Sequence, residues 1–224
     1  MASKNNVPSP SKPPRWNNAL AGTPDPREIR KRALIVAAGR TFGAKGFHNT
    51  TLDDIAEALS VTKPALYRYV KNKHEILYEC HRLAIGMAEE ALSEAEAAQA
   101  SALEGLRDFI ERYICKMTSE LGTCVVLTEY YSMTPDHTEV IQRRRRVIDT
   151  QLRTLVTQAM EQRLIAAGDA KLAVFFFMGA INNINRWFTE KGETRGDAIA
   201  AAFADHVIHG LRPAAKGRRA KAGS

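Results

Sequence analysis

Cysteine is scarce in this sequence of 224 residues, and the three that occur, Cys80, Cys115 and Cys124, lie far apart. No two of them have the CxxC spacing that is typical of zinc and redox sites. Three thiols also cannot all pair within one chain. We therefore expect reduced cysteines that take no part in a disulfide or a metal site.

Long apolar runs are also absent. The longest, from Leu172 to Ile181, has ten residues, whereas a membrane-spanning helix needs about 20. The N-terminus has no apolar stretch followed by small residues, as a secretory signal would have. These absences predict a cytoplasmic protein without a membrane partner.

The signatures of several enzyme classes are missing too. There is no glycine-rich phosphate loop, no HExxH and no nucleophile elbow, and no motif requires a cofactor. One alternative lies in Asp205, His206 and His209, whose spacings place them on one helical face, where they could hold a metal. A helical enzyme is therefore the weaker alternative, and we expect no cofactor.

Charge is unevenly distributed along the chain, whose net charge is +7. Residues 1–26 carry +2, residues 27–73 carry +6 and the last twelve residues carry +4, so residues 74–212 carry −5. A basic head and two basic tails on an acidic body favour binding of a polyanion at one end. A basic surface that only contacts solvent has the same composition. Charge alone therefore does not distinguish it from a polyanion-binding surface, and a sequence motif is needed.

Composition divides the chain into four segments. Six of the nine prolines lie in residues 1–26, which predicts a disordered arm, and residues 213–224 read as a basic tail. Between them, apolar residues recur at helical spacings and strand alternation is missing. We therefore predict an all-α fold with a head at residues 27–73 and a larger body at residues 74–212. The expected helices are 27–44, 51–59, 62–69, a long helix capped by Asn72, 101–120, 124–132, 135–165, 169–191 and 195–211.

Two short helices in the head have the layout of a helix-turn-helix. Thr51 is expected to cap the first, with Asp54 in an approximate capping box, and Thr62 is a cap candidate for the second. Ser60 and Val61 form the turn between them. The second helix of such a pair can enter the major groove of DNA.

The segment FGAKGFHNTTLDDIAEALSVTKPALYRYVKNKHEIL resembles the N-terminal domain of TetR-family transcriptional regulators. Many members have glycine in the turn where this chain has Ser60, a residue that turns accept. The resemblance implies a three-helix DNA-binding domain and a homodimer that binds an inverted-repeat operator in double-stranded DNA. It covers about Arg27 to Leu77 and rests on Gly46-Phe47, Thr50-Thr51, Ile55-Ala56, Leu66, Tyr67, Tyr69 and Asn72-Lys73.

The head supplies side chains suited to DNA. Lys63 and Arg68 can bond base edges or phosphates, whereas threonine and tyrosine hydroxyls suit phosphate oxygens. Lys73 lies at a helix N-terminus, where a phosphate is favoured, and is expected to set the register. For the tyrosines, core packing is the alternative. The expected DNA-binding residues are Thr50, Thr51, Thr62, Lys63, Ala65, Tyr67, Arg68, Tyr69 and Lys73.

The body is larger than a support for three short helices needs to be. In TetR-like proteins it binds a small effector and forms a two-fold dimer, and the resemblance implies both here. Plain core packing is the alternative for most of its aromatic residues, and the three phenylalanines at 175–177 cannot all face one cavity, because successive helical residues point about 100° apart. The expected ligand-binding residues are Phe109, Tyr113, Leu127, Tyr130, Tyr131, Arg143, Arg146, Phe176, Asn183, Arg186 and Trp187.

The segment FFFMGAINNINRWFTEKG resembles the penultimate helix of family members that sense fatty-acyl or steroid-derived acyl-CoA thioesters. The two last helices are expected to pair with their counterparts in a second copy across a self-complementary face. The small residues that predict this face are Gly179, Ala180, Ala198, Ala201 and Ala202, together with Asp205.

Four consecutive arginines, Arg143 to Arg146, form the densest charge run. They sweep about 300° around a helix, so one or two must point to a pocket mouth or a neighbouring helix. Part of the run could hold the phosphates of a CoA-type ligand. The alternative is ordinary surface pairing, of Arg143 with Glu139 and of Arg145 with Asp149.

Together these features predict a sequence-specific DNA-binding regulator. The favoured form is a repressor that a small apolar effector releases from its operator, with an acyl-CoA thioester as the favoured effector. The alternatives are a DNA-binding dimer with another effector or none, including a nucleoid-type structural binder, and the helical enzyme. A structural binder would show sequence-independent affinity with a steep salt dependence.

Overall fold

The protein is described by a computed structural model that covers residues 25–98, 101–119, 122 and 130–212. Within these ranges the chain forms eight α-helices and no strand, which confirms the predicted all-α class. None of the described helices has the length and apolar character that a membrane crossing requires. The helices are α1 (Pro26–Lys45), α2 (Leu52–Ala58), α3 (Lys63–Leu66), α4 (Lys73–Ala98), α5 (Ala102–Met117), α6 (Pro135–Glu161), α7 (Ala170–Asn182) and α8 (Gly196–Leu211).

Local capping determines where the head helices begin. The predicted capping box at α2 is present, because the Asp54 amide donates to Thr51 Oγ1 at 3.1 Å and the Thr51 amide donates to Asp54 Oδ2 at 2.7 Å. Thr62 stands at the N-cap of α3, but its side chain makes no capping hydrogen bond. Helix α3 has four residues and ends earlier than expected, because the chain tightens into a turn in which the Tyr69 amide donates to the Leu66 carbonyl at 2.9 Å.

The turn between α2 and α3 contains a strained residue. Ser60 has a φ of 54°, in the left-handed region that favours glycine. Because this backbone conformation favours glycine, it explains why many members of the TetR family have glycine at this position. The serine keeps the same turn at some conformational cost.

Helix α4 packs in both the head and the body of the molecule. Asn72 caps it by accepting from the Glu75 amide at 2.9 Å, as predicted. Its first turns bury Ile76, Leu77 and Cys80 in a core shared with α1, and its later turns pack against α5 and α6.

An ion-pair cluster also joins α1 to α4. The Glu79 carboxylate accepts from Lys31 of α1 at 2.9 Å and from Arg82 at 2.8 Å. Burial raises the pKa of Glu79, but the hydrogen bonds from the two cations outweigh that effect and hold the pKa below its ordinary value.

Helices α5 to α8 complete the body around α5, which packs on α4, α6 and α8. Three predicted helix ends need correction. Helix α5 stops at Met117, where the Thr118 hydroxyl donates back to the Ile114 carbonyl at 2.8 Å. Helix α6 stops at Glu161 and is followed by Arg163, which has a positive φ of 57°.

The third correction concerns α7, which ends at Asn182 and not at Lys191. Two consecutive asparagines are weak helix formers because their side chains compete for backbone hydrogen bonds. A 3-10 turn, Ile184–Arg186, follows. Of the helix expected at 124–132, residues 124–129 lie outside the described part of the chain, and Tyr130–Ser132 form a 3-10 turn.

Candidate nucleic-acid interface and ligand cavity

The outer face of the helix-turn-helix carries exposed polar side chains. Leu66 and Val70 are buried and hold α3 against the head, so the opposite side of the segment is left for Tyr67 and Arg68, which are both exposed. Tyr67 keeps 51% of its surface accessible. This face is the one that the arrangement can present to a DNA groove.

Lys63 and Lys45 are both drawn to carboxylates of α2. Lys63 Nζ lies 2.8 Å from Asp53, and this hydrogen bond raises the pKa of Lys63. Lys45 Nζ lies 2.5 Å from Asp54, and hydrogen bonds from Lys45 and then from Thr51 hold the pKa of Asp54 far below its ordinary value. The positive charge of Lys63 is therefore partly compensated before any phosphate arrives.

Two of the threonines expected at DNA serve the fold of the head. Thr50 is only 1% exposed, and its hydroxyl donates to the Gly46 carbonyl at 2.8 Å. Thr51 is exposed, and its hydroxyl donates to Asp54 at 2.6 Å while also capping α2. Thr62 is exposed, whereas Ala65 and Tyr69 are half-buried. Of the expected residues in this segment, Thr62, Tyr67 and Arg68 are thus exposed and Lys63 is half-buried, whereas Thr50 is buried.

Lys73 is directed inward. Its Nζ donates to the main-chain carbonyl oxygens of Phe47 at 2.8 Å, Thr50 at 2.9 Å and His48 at 3.3 Å. It also lies 4.5 Å from the centroid of the Phe47 ring. An ammonium has three donors, and all three are used here, so the phosphate contact expected from the sequence would require Lys73 to leave these partners. Its evident role is to fasten the loop before α2 to the start of α4.

A cavity of about 340 Å³ lies among α4, α5, α6 and α7 in the body. Its volume is at the lower end of the range for ligand pockets, about 300 to 1,000 Å³. Most of its wall is apolar. The lining residues are Ala84, Ile85, Ala88, Tyr113, Arg145, Arg146, Ile148, Asp149, Leu152, Arg153, Val174, Phe175, Met178 and Asn182.

Three guanidinium groups and one carboxylate border this cavity on α6. Arg153 pairs with Asp149 at 2.5 Å and lies over the Phe175 ring, 5.6 Å from its centroid. Within the described part of the chain, the buried Nε of Arg153 has no hydrogen-bond partner. Arg145 lies 5.0 Å from the centroid of Tyr130. The border therefore carries a net positive charge beside an apolar wall.

The four consecutive arginines, Arg143 to Arg146, point to different neighbours, as successive residues of a helix must. Arg143 pairs with Glu139 at 3.0 Å, as the pairing alternative predicted. Arg144 forms two hydrogen bonds to Glu89, at 2.8 and 2.6 Å. Arg145 and Arg146 line the cavity, and Asp149 pairs with Arg153 and not with Arg145.

The cavity includes Tyr113 and Arg146 but not the other residues expected at a ligand. Phe109 is fully buried and stacks on Tyr113, while Tyr130 donates to the Thr138 carbonyl outside the wall. Tyr131 is 96% exposed. Leu127 lies outside the described residues. The remaining four, Arg143, Phe176, Asn183 and Arg186, are exposed away from the cavity, as is Trp187, which stacks on Phe203.

Sequence reasoning missed several lining residues. Arg145, Asp149, Leu152 and Arg153 share one face of α6, and their spacing of three and four residues is visible in the sequence. Asn182 could have been found in the same way from Phe175 and Met178 on α7.

The outward face of α7 is apolar and exposed. Leu172, Phe175 and Phe176 all keep more than half of their surface accessible, and Phe176 keeps 68%. On α8 the exposed residues are small or polar, among them Ala201 and Ala202. Asp205, also on α8, pairs with Arg107 at 2.6 Å. In the described ranges, no group of three or more histidine, cysteine, aspartate or glutamate residues could hold a metal ion.

Two known sequence families match the chain. Residues 34–80 match the family described as bacterial regulatory proteins, tetR family. Residues 99–211, half of the chain, match the family described as tetracyclin repressor-like, C-terminal domain. The first match contains the helix-turn-helix, and the second contains α5 to α8.

Individual regulators are similar to parts or to most of the chain. The HTH-type transcriptional activator FasR of Mycolicibacterium smegmatis is 37% identical over 51 residues, which are 23% of each protein. The TetR-family regulator PfmR of Thermus thermophilus superposes with a TM-score of 0.71 at 28% identity, covering 80% of this chain and 99% of that one.

A second similar structure was solved with ligands. AibR, in complex with isovaleryl coenzyme A and operator DNA, has a TM-score of 0.69 at 26% identity and covers 82% of this chain and 98% of its own. The matched families and these proteins are regulators and not enzymes, and regulators of this kind are dimers that bind operator DNA. From its helix-turn-helix, its helical body and both family matches, the chain belongs to the TetR family of DNA-binding transcriptional regulators.

Proposed function

We propose that this protein is a repressor that binds an inverted-repeat operator as a homodimer and leaves it when an acyl-CoA thioester enters the body cavity. The observation that carries the proposal is the course of α4. Its first residue, Lys73, fastens the loop before α2, and its later turns supply Ala84, Ile85 and Ala88 to the cavity wall. One rigid element thus touches both the DNA-binding head and the ligand cavity.

On DNA, the exposed side of α3 enters the major groove. Arg68 reads a base edge, and Tyr67 and Thr62 contact the backbone or thymine methyl groups. Lys63 shares its charge between Asp53 and phosphate. The head is the segment 27–73 and the body is the segment 74–212, and a chromosomal partner implies a cytoplasmic protein.

The dimer forms through α7 and α8. The apolar face of α7, with Leu172 and Phe176, is too large to remain in water without cost. The small exposed residues of α8, such as Ala201 and Ala202, permit a second helix to approach closely. A two-fold axis through this face makes the patch self-complementary.

The effector combines an apolar chain with an anionic group. The wall of the cavity suits a hydrocarbon, and the arginines at its border suit phosphates through their planar donors. The complex of AibR with isovaleryl coenzyme A supports the same ligand class.

The effector weakens DNA binding only to the extent that it binds the DNA-incompetent state of the protein more tightly than the DNA-competent state. A tenfold loss of operator affinity requires about 1.4 kcal/mol of coupling. A ligand that pushes α4 away from α6 would change the distance between the two copies of α3 in the dimer. A tenfold loss of operator affinity would follow from that change.

The experiment is a titration of the protein–operator complex, followed by fluorescence anisotropy of a labelled duplex. Acyl-CoAs of increasing chain length are compared with the matching free acids and with CoA alone. Release by acyl-CoAs only supports the proposal. Release by both classes alike removes the arginine border from the mechanism, and release by neither rejects the effector class. Transcription in vitro from the same operator then separates repression from activation.

A further inference from the structure

The apolar wall of the body cavity contains one neutral polar pair. Tyr113 of α5 donates from its hydroxyl to Asn182 Oδ1 of α7 at 3.2 Å, and both residues line the cavity. The other uncharged side chains of the wall are alanine, isoleucine, leucine, valine, methionine and phenylalanine. A pair of this kind in an apolar wall needs a reason, because polar groups are costly to bury without full hydrogen bonding.

The pair has hydrogen-bonding capacity left over. Among residues 25–98, 101–119, 122 and 130–212, no group accepts a hydrogen bond from Asn182 Nδ2. Burial raises the pKa of Tyr113 to about 12, although the nearby charge of Arg145 opposes that rise. The hydroxyl is therefore protonated at physiological pH and remains a donor. The amide of Asn182 is left as a second donor that can face a ligand.

The pair lies at the end of the cavity that Arg145 borders. Helices α6 and α7 are joined by a short connection, residues 162–169, and therefore run antiparallel. Arg153 on α6 meets Phe175 on α7, so Arg145, two turns earlier, lies toward Asn182. The influence of the Arg145 charge on Tyr113 agrees with this placement.

The size of the cavity limits what it can enclose. A volume of about 340 Å³ holds about eleven non-hydrogen atoms if each takes the roughly 30 Å³ of a water molecule. That is enough for a medium-length acyl chain and its thioester but not for the nucleotide of CoA. The nucleotide must lie outside, where the exposed Arg145 and Arg146 can meet its phosphates. A thioester between these arginines and the enclosed chain lies at the Arg145 end of the cavity, beside the polar pair.

We propose that Tyr113 and Asn182 are specificity-determining residues that bind the thioester carbonyl oxygen of the effector. The inference rests on the proposed function, since it assumes that the cavity accepts an acyl-CoA. The carbonyl oxygen accepts from Asn182 Nδ2 and from the Tyr113 hydroxyl, which turns from Asn182 to the ligand. With a chain that lacks that oxygen, Tyr113 keeps its hydrogen bond to Asn182, but Asn182 Nδ2 is left without an acceptor inside the wall, and such sites reject ligands that lack the expected polar group.

The test compares two probes that differ by one oxygen. Octanoyl-CoA and the thioether S-octyl-CoA have the same chain length and nucleotide, and their affinities for the full-length protein are measured by isothermal titration calorimetry. The variants are Tyr113→Phe and Asn182→Leu. Tyr130→Phe is the matched control, because its hydroxyl bonds to Thr138 outside the cavity wall. Melting temperatures establish that each variant is folded.

The wild-type protein and Tyr130→Phe are expected to prefer the thioester by about tenfold or more. Both cavity variants should lose most of that preference while binding the thioether as well as the wild type does. Equal binding of the two probes by the wild type would overturn the inference and leave the acyl-CoA proposal intact. Persistent discrimination in both variants would also overturn it. Binding of neither probe would reject the inference together with the proposed effector.

Discussion

The ammonium of Lys73 lies 4.5 Å from the centroid of the Phe47 ring and donates at 2.8 Å to the main-chain carbonyl of the same residue. Phe47 is itself buried and packs edge-on against Phe42 of α1. One side chain at the start of α4 thus holds the loop that precedes the helix-turn-helix. The orientation of the DNA-reading surface relative to the body depends on this contact.

Replacement of Lys73 by methionine should therefore act through the fold. The variant leaves up to three carbonyl oxygens without their donor, and the free energy of unfolding should fall by about 1 to 3 kcal/mol. Operator affinity should fall for all sequences alike. Lys71→Met removes the same charge from a neighbouring exposed position and is the control for stability, since it should leave the free energy of unfolding unchanged. A loss of DNA affinity by Lys73→Met without any loss of thermal stability would instead indicate a direct phosphate contact.

Arg68→Ala should relax base preference at one operator position in each half-site. Arg68 is exposed on the segment that follows α3, where it can reach a base edge. Loss of a bidentate contact with a base costs about 1 to 3 kcal/mol of discrimination. Competition with duplexes substituted one base pair at a time measures the effect. Lys71→Ala should weaken all duplexes by a similar factor, and an unchanged preference profile in Arg68→Ala would assign base readout to another residue.

Acid should destabilise the head through Asp54. Hydrogen bonds from Lys45 and Thr51 hold the folded pKa of Asp54 far below its ordinary value, so the unfolded state binds a proton first as the pH falls. The stabilisation is fully present above about pH 4, the ordinary pKa of aspartate, and is lost as the pH falls through the folded value.

Thermal unfolding of Asp54→Asn between pH 7 and pH 3 measures this contribution. The variant should melt below the wild type at pH 7, and the difference should shrink as the pH falls. Asp136→Asn, which removes an exposed carboxylate from the first turn of α6, is the control. A constant difference between Asp54→Asn and the wild type over the whole range would contradict the assignment.

Phe176→Glu should dissociate the dimer. The substitution puts a charge on the apolar face of α7, and two such charges would meet across the two-fold axis. Sedimentation velocity should show at least a tenfold weaker dimer, and operator binding should weaken with it. Tyr131→Glu changes another exposed aromatic residue and should remain dimeric. A dimeric Phe176→Glu variant would place the interface elsewhere.

Features governed by near neighbours in the chain were predictable. The all-α class, the capping box of Thr51 and Asp54 and the Asn72 cap all depend on residues within four positions of each other. Helical spacing could also have identified Arg145 as a cavity residue in place of Arg143.

Features governed by distant contacts were not predictable. The carbonyl partners of Lys73 lie 23 to 26 residues earlier in the chain, and helical spacing gives no sign of them. The Tyr113 hydroxyl meets Asn182 across 69 residues. Pairings of this kind depend on how helices cross, which periodicity alone does not specify.

Helix α4 packs in both the head and the body. A fragment that stops at the end of the basic head, at residue 73, should therefore not fold as an independent DNA-binding domain. Ile76, Leu77 and Cys80, which close the core beneath α1, lie beyond the last residue of that head. A fragment that ends at residue 73 would expose Leu34 and Phe42 to water. The DNA-reading head and the body with its cavity thus share one folding unit, and thermal unfolding should melt both parts in a single transition.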